Sequence, residues 1–215
     1  MSSIKLPHSS GNSMSIAAPA TNPASDLTLQ LPNSVGTGKI NHGNVLEQFC
    51  TPCDGSAITV PSGTYTVTDV SAIQDLSSSY ADITGSSIAY TPPAGTTQVI
   101  YEYDFEFGRA SSNAQGLIKI FLDSDEVTKG YRSHGNDASS TRCVVRWAFN
   151  IGGSADTTVG RVASWTSAKT IKLQARDLSG SYQVHLHSTP HESDGGSTDT
   201  FSMPLIQITA IGTPA

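Results

Sequence analysis

The stretch YEYDFEF, residues 101–107, alternates four aromatic side chains with three acids. Only an extended strand sends successive side chains to opposite faces. Tyr101, Tyr103, Phe105 and Phe107 therefore belong on a buried face, and Glu102, Asp104 and Glu106 on a wet one. The same period runs through TIKLQAR (170–176), with Ile171, Leu173 and Ala175 inward. It also runs through SYQVHLHS (181–188), with Tyr182, Val184 and Leu186 inward and Gln183, His185 and His187 outward. RCVVRWAFNI (142–151) and PLIQITAI (204–211) are apolar on both faces and are predicted as central strands, or strands covered on both sides. Further strands are predicted over 45–49, 64–67, 86–90, 117–122 and 159–163. Turn chemistry separates them: Asp54-Gly55, Pro61-Ser62-Gly63, Pro92-Pro93-Ala94-Gly95, Gly152-Gly153, Ser179-Gly180 and Gly195-Gly196.

No window of about 12 residues keeps a helical period. About ten strands over roughly 175 residues predict an all-β fold, a jelly-roll or β-sandwich head over residues 39–215. Residues 1–38 are predicted as an extended amino-terminal segment of short strands. The joint VGTGKINHGN (35–44) falls between them. It does not match a phosphate-binding loop, because Asn33 stands where glycine is needed and Ile40 where Ser or Thr is needed.

That amino-terminal segment has its own pattern. Apolar-alternating fragments at 4–6, 14–18 and 27–31 are each closed by a proline, Pro7, Pro19 and Pro32. Proline removes a donor and stops a ladder from growing, and isolated short strands are marginal. The alternation of Ile4, Leu6, Met14, Ile16, Leu27, Leu29 and Leu31 marks the segment as more than a linker. Its hydrogen bonds are expected to come from other surfaces.

Composition narrows the function classes. A net charge of −6 without a Lys/Arg run argues against a nucleic-acid partner. No apolar stretch approaches the roughly 20 residues of a membrane span, so no membrane insertion is expected. The first residues do not form the apolar core of a secretion signal, so the chain reads as a product made in a cytoplasm. Cys50 and Cys53 form CTPC, followed by turn and strand signals instead of the helix start that a redox motif uses. A single CxxC supplies two of the four ligands of structural zinc. Cys143 is in phase with Val145, Trp147, Phe149 and Ile151 and is expected to be buried.

Three groups carry possible chemistry. Glu102, Asp104 and Glu106 lie two residues apart, near the carboxyl spacing of glycosidases, but catalytic pairs come from different strands across a cleft. His185 and His187 share a predicted strand face and His191 follows in a loop; together they make the metal-ligating set to check first. Asp123, Asp125 and Glu126 lack the glycine and glutamate that a calcium loop requires at its sixth and twelfth positions, occupied here by Thr128 and His134. No strand-to-helix nucleophile elbow is present. The expectation is therefore no enzyme, no metal and no cofactor.

The segment KLPHSSGNSMSIAAPATNPASDLTLQLPNSVGTG resembles a module at the start of tail-fibre and other virion-appendage proteins of tailed phages, especially marine ones. The stretch SSSYADITGSSIAYTPPAGTTQVIYEYDFEFG is similar to the strand-rich heads that follow this module. The resemblance implies a virion-surface protein with a homotrimeric jelly-roll head. Residues 1–38 would dock onto another virion protein or onto equivalent segments of neighbouring copies. The head would contact a host surface glycan or outer-membrane protein through loops 131–140 and 189–200, which carry Tyr131, His134, His191, Glu192 and Asp194. Typical fibres are longer and carry shaft repeats or coiled coils. Their absence here raises a second reading, a capsid or tail decoration protein. A polysaccharide depolymerase is the third, and it requires a carboxylate pair across a groove.

Overall fold

In a computed structural model, residues 3–7, 13–17, 45–109, 114–136, 140–190 and 199–213 are described. The chain divides into two compact units, Met1–His42 and Gly43–Ala215. In the first, β1 (Ser3–Pro7) and β2 (Ser13–Ala17) pair antiparallel, with Ile4 opposite Ile16 and Leu6 opposite Met14. The first two fragments thus supply each other's ladder, where other surfaces were the expected source of their hydrogen bonds. Leu27, Leu29 and Leu31 lie outside the described residues.

The second unit contains β3 (Val45–Pro52), β4 (Ala57–Val60), β5 (Gly63–Thr66), β6 (Gln74–Asp75), β7 (Ala81–Asp82), β8 (Ile88–Tyr90), β9 (Thr96–Arg109), β10 (Ala114–Leu122), β11 (Asp125–Glu126), β12 (Arg132–Asn136), β13 (Ser140–Asn150), β14 (Lys169–Asp177), β15 (Val184–Leu186), β16 (Ser188–Pro190), β17 (Asp199–Phe201) and β18 (Leu205–Gly212). Two mixed-length antiparallel sheets form the layers of a β-sandwich of the jelly-roll class. One runs β3-β18-β9-β15-β6, with β13 on the far edge of β9. The other runs β11-β10-β14-β7, with β12 also on β10 and β8 also on β14. Consecutive long strands switch sheets: β9 to β10, β13 to β14, β14 to β15. The inward alternate residues of both sheets thus interdigitate in one core.

The aromatic strand behaves as its period demands. Tyr101, Tyr103 and Phe107 are fully buried and Phe105 nearly so, while Glu102, Asp104 and Glu106 are half-exposed on the outer face. These rings are absorbed by the chain's own core, packing with Phe149, Ile120, Leu173 and Ile208 in one cluster. The strand therefore offers no apolar surface to a neighbour.

Three predicted elements change. Residues 159–163 are not a strand: Gly160 at φ +70° ends a 3-10 turn over Thr157–Val159, and only isolated bridges at Arg161 and Val162 follow. β18 is central, between β3 and β9, but β13 is an edge strand whose only ladder among the described residues is with β9. Its outer-face Val144, 46% exposed, lies between Arg142 and Arg146. SYQVHLHS gives the three residues of β15 and, after His187, only the first residue of β16. Tyr182 belongs to the preceding turn, its N–H donating to the Ser179 carbonyl at 2.9 Å. His187 is wholly buried at φ +61°, not outward beside His185. The left-handed residue rotates the side chain off the strand's alternation.

Candidate functional site

The outer face of the β10–β14 sheet carries the exposed aromatic chemistry. Alternation puts Lys119 on β10 and Lys172, Gln174 and Arg176 on β14 on this face, all half-buried. Tyr80, just before β7, lies across both strands, with Lys119 Nζ 4.5 Å and Arg176 Cζ 5.3 Å from its ring centre. Tyr131, 42% exposed after the 3-10 turn Thr128–Gly130, meets it hydroxyl to hydroxyl at 2.7 Å. Lys119 also donates to Glu126 at 2.7 Å, and Lys172 and Gln174 hold Asp82. Arg176 donates to the carbonyls of Asp177 and Leu178. The hydrogen bond to Tyr80 pushes the Tyr131 phenol above its usual range. Two phenols, an ammonium and a guanidinium are groups suited to stacking, cation–π contact and hydrogen bonding.

Of the predicted loop residues, Tyr131 lies on this surface. His134 does not. It sits within β12 opposite Gly116, edge-on to Phe107 at 4.6 Å, and its Nε2 is buried with no partner among the described residues. Gly116 is the cause: a Cβ there would meet the Phe107 ring at 2.8 Å, so the ring fills that space and His134 packs on it. Residues 132–136 are strand, so 131–140 is not one loop. His191, Glu192 and Asp194 lie outside the described residues. Tyr80 was missed; its only signal was an aromatic residue after the turn-forming serines 77–79.

The other outer face is ion-paired. Arg142 stands opposite Glu106 and Arg146 opposite Glu102, and Val144 faces Asp104. Arg142 leans diagonally onto Asp104, with Nε donating to Oδ1 at 2.7 Å and a second nitrogen to Oδ2. Arg146 reaches Glu102 at 3.5 Å. These acids are cross-strand neighbours of arginines on one sheet face.

Two acids of the 123–126 turn are likewise engaged. Asp123 accepts from Lys169 Nζ at 2.9 Å and from the Thr170 N–H at 2.8 Å, and Glu126 holds Lys119. His185 lies 3.4 Å from Asp75, while His187 is buried away from it. Among the described residues no group of three His, Cys, Asp or Glu side chains is placed to hold a metal.

All three thiols are free. CxxC in an extended strand end puts its cysteines on opposite faces, so Cys50 is exposed while Cys53 is buried with Sγ 3.5 Å from the Gly85 carbonyl. Burial pushes Cys53 and Cys143 each up to about 12, which disfavours the nucleophilic thiolate.

Inside the sandwich sits one carboxylate that sequence reasoning did not single out. Glu47, 5% exposed, accepts from Tyr90 OH at 2.8 Å and Ser62 Oγ at 2.6 Å through Oε1, and from the Ser62 N–H at 2.9 Å through Oε2. It ties the β4–β5 hairpin to β3 and β8. Its parity with Phe49 in VLEQF was the available signal.

No protein-family profile matches the chain. No curated protein matches it either. Among solved structures, one of infectious bursal disease virus, Gx strain, is similar at 10% identity and a TM-score of 0.33. The alignment covers 93% of this chain and 45% of that one, so this chain spans less than half its length. At that TM-score the likeness is one of general strand packing and carries no functional information.

Proposed function

We propose that the chain is a virion structural protein, a short surface appendage that docks through residues 1–38 and presents its sandwich outward. The observation that carries this reading is the division into a self-contained sandwich and a separate two-stranded ribbon, whose β1 ends on Pro7 and whose β2 stops just before Pro19. Such a ribbon is too short to be stable alone and suits a socket on another protein. In this reading three copies associate through the outer face of the larger sheet, where Val144 and Leu205 are 46% and 39% exposed. The Tyr80–Tyr131 surface is the contact with a host surface glycan or outer-membrane protein. No catalytic step and no cofactor belong to this reading.

A decoration protein without a receptor role is the second reading. Particles carrying Tyr131→Ala and Tyr80→Ala separate the two. The attachment role predicts at least a tenfold loss of adsorption with unchanged particle composition; unchanged adsorption leaves decoration. The purified chain is expected to sediment as a trimer, and a clean monomer at micromolar concentration contradicts that part.

A further inference from the structure

β15 ladders onto β9, and the next strand, β16, ladders onto β17 in a separate ribbon. The residue between them is His187, at φ +61°. Its N–H donates to the Glu106 carbonyl at 2.8 Å and its carbonyl accepts from the Ser202 N–H at 2.9 Å, so the turn is fastened on both sides. The imidazole is fully buried, with Tyr103 and Phe105 edge-on at 6.3 and 6.0 Å between ring centres. Neither Nδ1 nor Nε2 makes a well-formed hydrogen bond among the described residues; the Thr84 carbonyl is the one acceptor that acts on the ring, and only weakly. Packing alone does not call for a histidine here, since an apolar ring fills such a slot without orphaned nitrogens.

Among the described residues no charged group is paired with the ring. From β9 the ring meets Tyr103 and Phe105, while the acid of Glu106 is half-exposed on the outer face. Burial is the main influence on the ring, and the Thr84 carbonyl, which already accepts from Tyr103 OH at 2.7 Å, opposes it weakly. Nearby charges are directed elsewhere: Asp75 pairs with His185, and Asp177 accepts from the Val184 N–H at 3.0 Å.

We propose that His187 is an acid-operated pin: neutral, it seats the β16–β17 ribbon on the sandwich, and once protonated it stays out of its slot, so acid opens the ribbon while the two sheets remain folded. Burial pushes the seated imidazole down to about 4. A solvated one titrates near 6.5. Between these values the open form binds a proton that the seated form does not. Opening therefore becomes about tenfold more favourable per pH unit as pH falls from 6.5 to 4; the effect is absent above this window and saturated below it.

Amide hydrogen exchange, corrected for its intrinsic pH dependence, tests this in the whole chain. The expected result is that protection of the His187 and Ser202 amides falls on the order of thirtyfold from pH 7.5 to 5, with the amides of β9 and β18 unchanged. His187→Phe is expected to abolish that response, and His185→Gln to retain it. Equal protection at both pH values, or equal loss in ribbon and sheets, overturns the proposal without recourse to any variant. A Phe variant that folds and still responds to acid does so too.

Discussion

Replacing Glu47 by alanine is expected to destabilise the sandwich by about 3–5 kcal/mol, a large part of the 5–15 kcal/mol typical of a domain. The carboxylate is buried, faces no cation among the described residues and accepts three hydrogen bonds. Bonds to a charged acceptor contribute about 1.5–3 kcal/mol each but do not add, and the substitution leaves the wholly buried Tyr90 hydroxyl without that acceptor. Ser62 would also lose its anchor, and with it the tip of the β4–β5 hairpin, whose Tyr65 stacks on Phe49 at 5.7 Å. Glu47→Gln keeps one accepting oxygen for Tyr90 and Ser62 Oγ but turns an amide toward the Ser62 N–H, so about 1–2 kcal/mol is expected. Urea denaturation of the three proteins measures the series. A Glu47→Ala protein within about 1 kcal/mol of wild type would show that the latch contributes little.

Gly85→Ala is expected to cost about 3 kcal/mol, from a left-handed backbone and from overpacking. Gly85 has φ +84°, and a Cβ there would collide with Val70 Cγ2 and stand 2.9 Å from Tyr103 OH. The turn is where the core's buried donors end. Tyr103 OH donates to the Thr84 carbonyl at 2.7 Å, Tyr101 OH to the Ser86 carbonyl at 2.7 Å, and Cys53 Sγ to the Gly85 carbonyl at 3.5 Å. Any shift of the turn to relieve the clash stretches all three. Gly153, at φ +72° with nothing within 4 Å of where a Cβ would stand, is the control; Gly153→Ala should cost only about 1 kcal/mol. Equal thermal-melt shifts for the two substitutions would mean that backbone strain alone is being measured and that the crowding around Gly85 is harmless.

What could be read in advance follows from how local each signal is. The burial of Tyr101, Tyr103, Phe105 and Phe107 needs only the period of one strand. The turns needed only their glycines, which indeed carry positive φ at Gly55, Gly95, Gly152 and Gly153. Cys143 was legible for the same reason. His187 was not, because period-two counting holds only while the backbone stays extended, and one residue at φ +61° breaks the parity. The same limit took 159–163, where Gly160 turns an apolar run away from any ladder. Whether β13 is central or at an edge depends on neighbours that its own residues do not encode; Val144 on its outer face reads as burial but stands as a spacer between two paired arginines. Tyr131 could be found as a lone aromatic in a polar stretch. Its partner Tyr80 lies 51 positions away in sequence, and only the fold brings the two hydroxyls together. His134 looked like a loop ligand because nothing local announced that Gly116 would admit the Phe107 ring beneath it.

The most direct measurement of the proposed role compares full-length protein with a form lacking residues 1–38, both supplied during assembly of the virus that the proposal requires, by quantifying each in purified particles. The shortened protein is expected to fold with the same sandwich, seen by unchanged near-ultraviolet circular dichroism, yet to be missing from particles that contain the full-length chain. Incorporation of the shortened protein at the full-length level would contradict docking through the amino-terminal ribbon, and absence of both from particles would contradict the virion assignment itself.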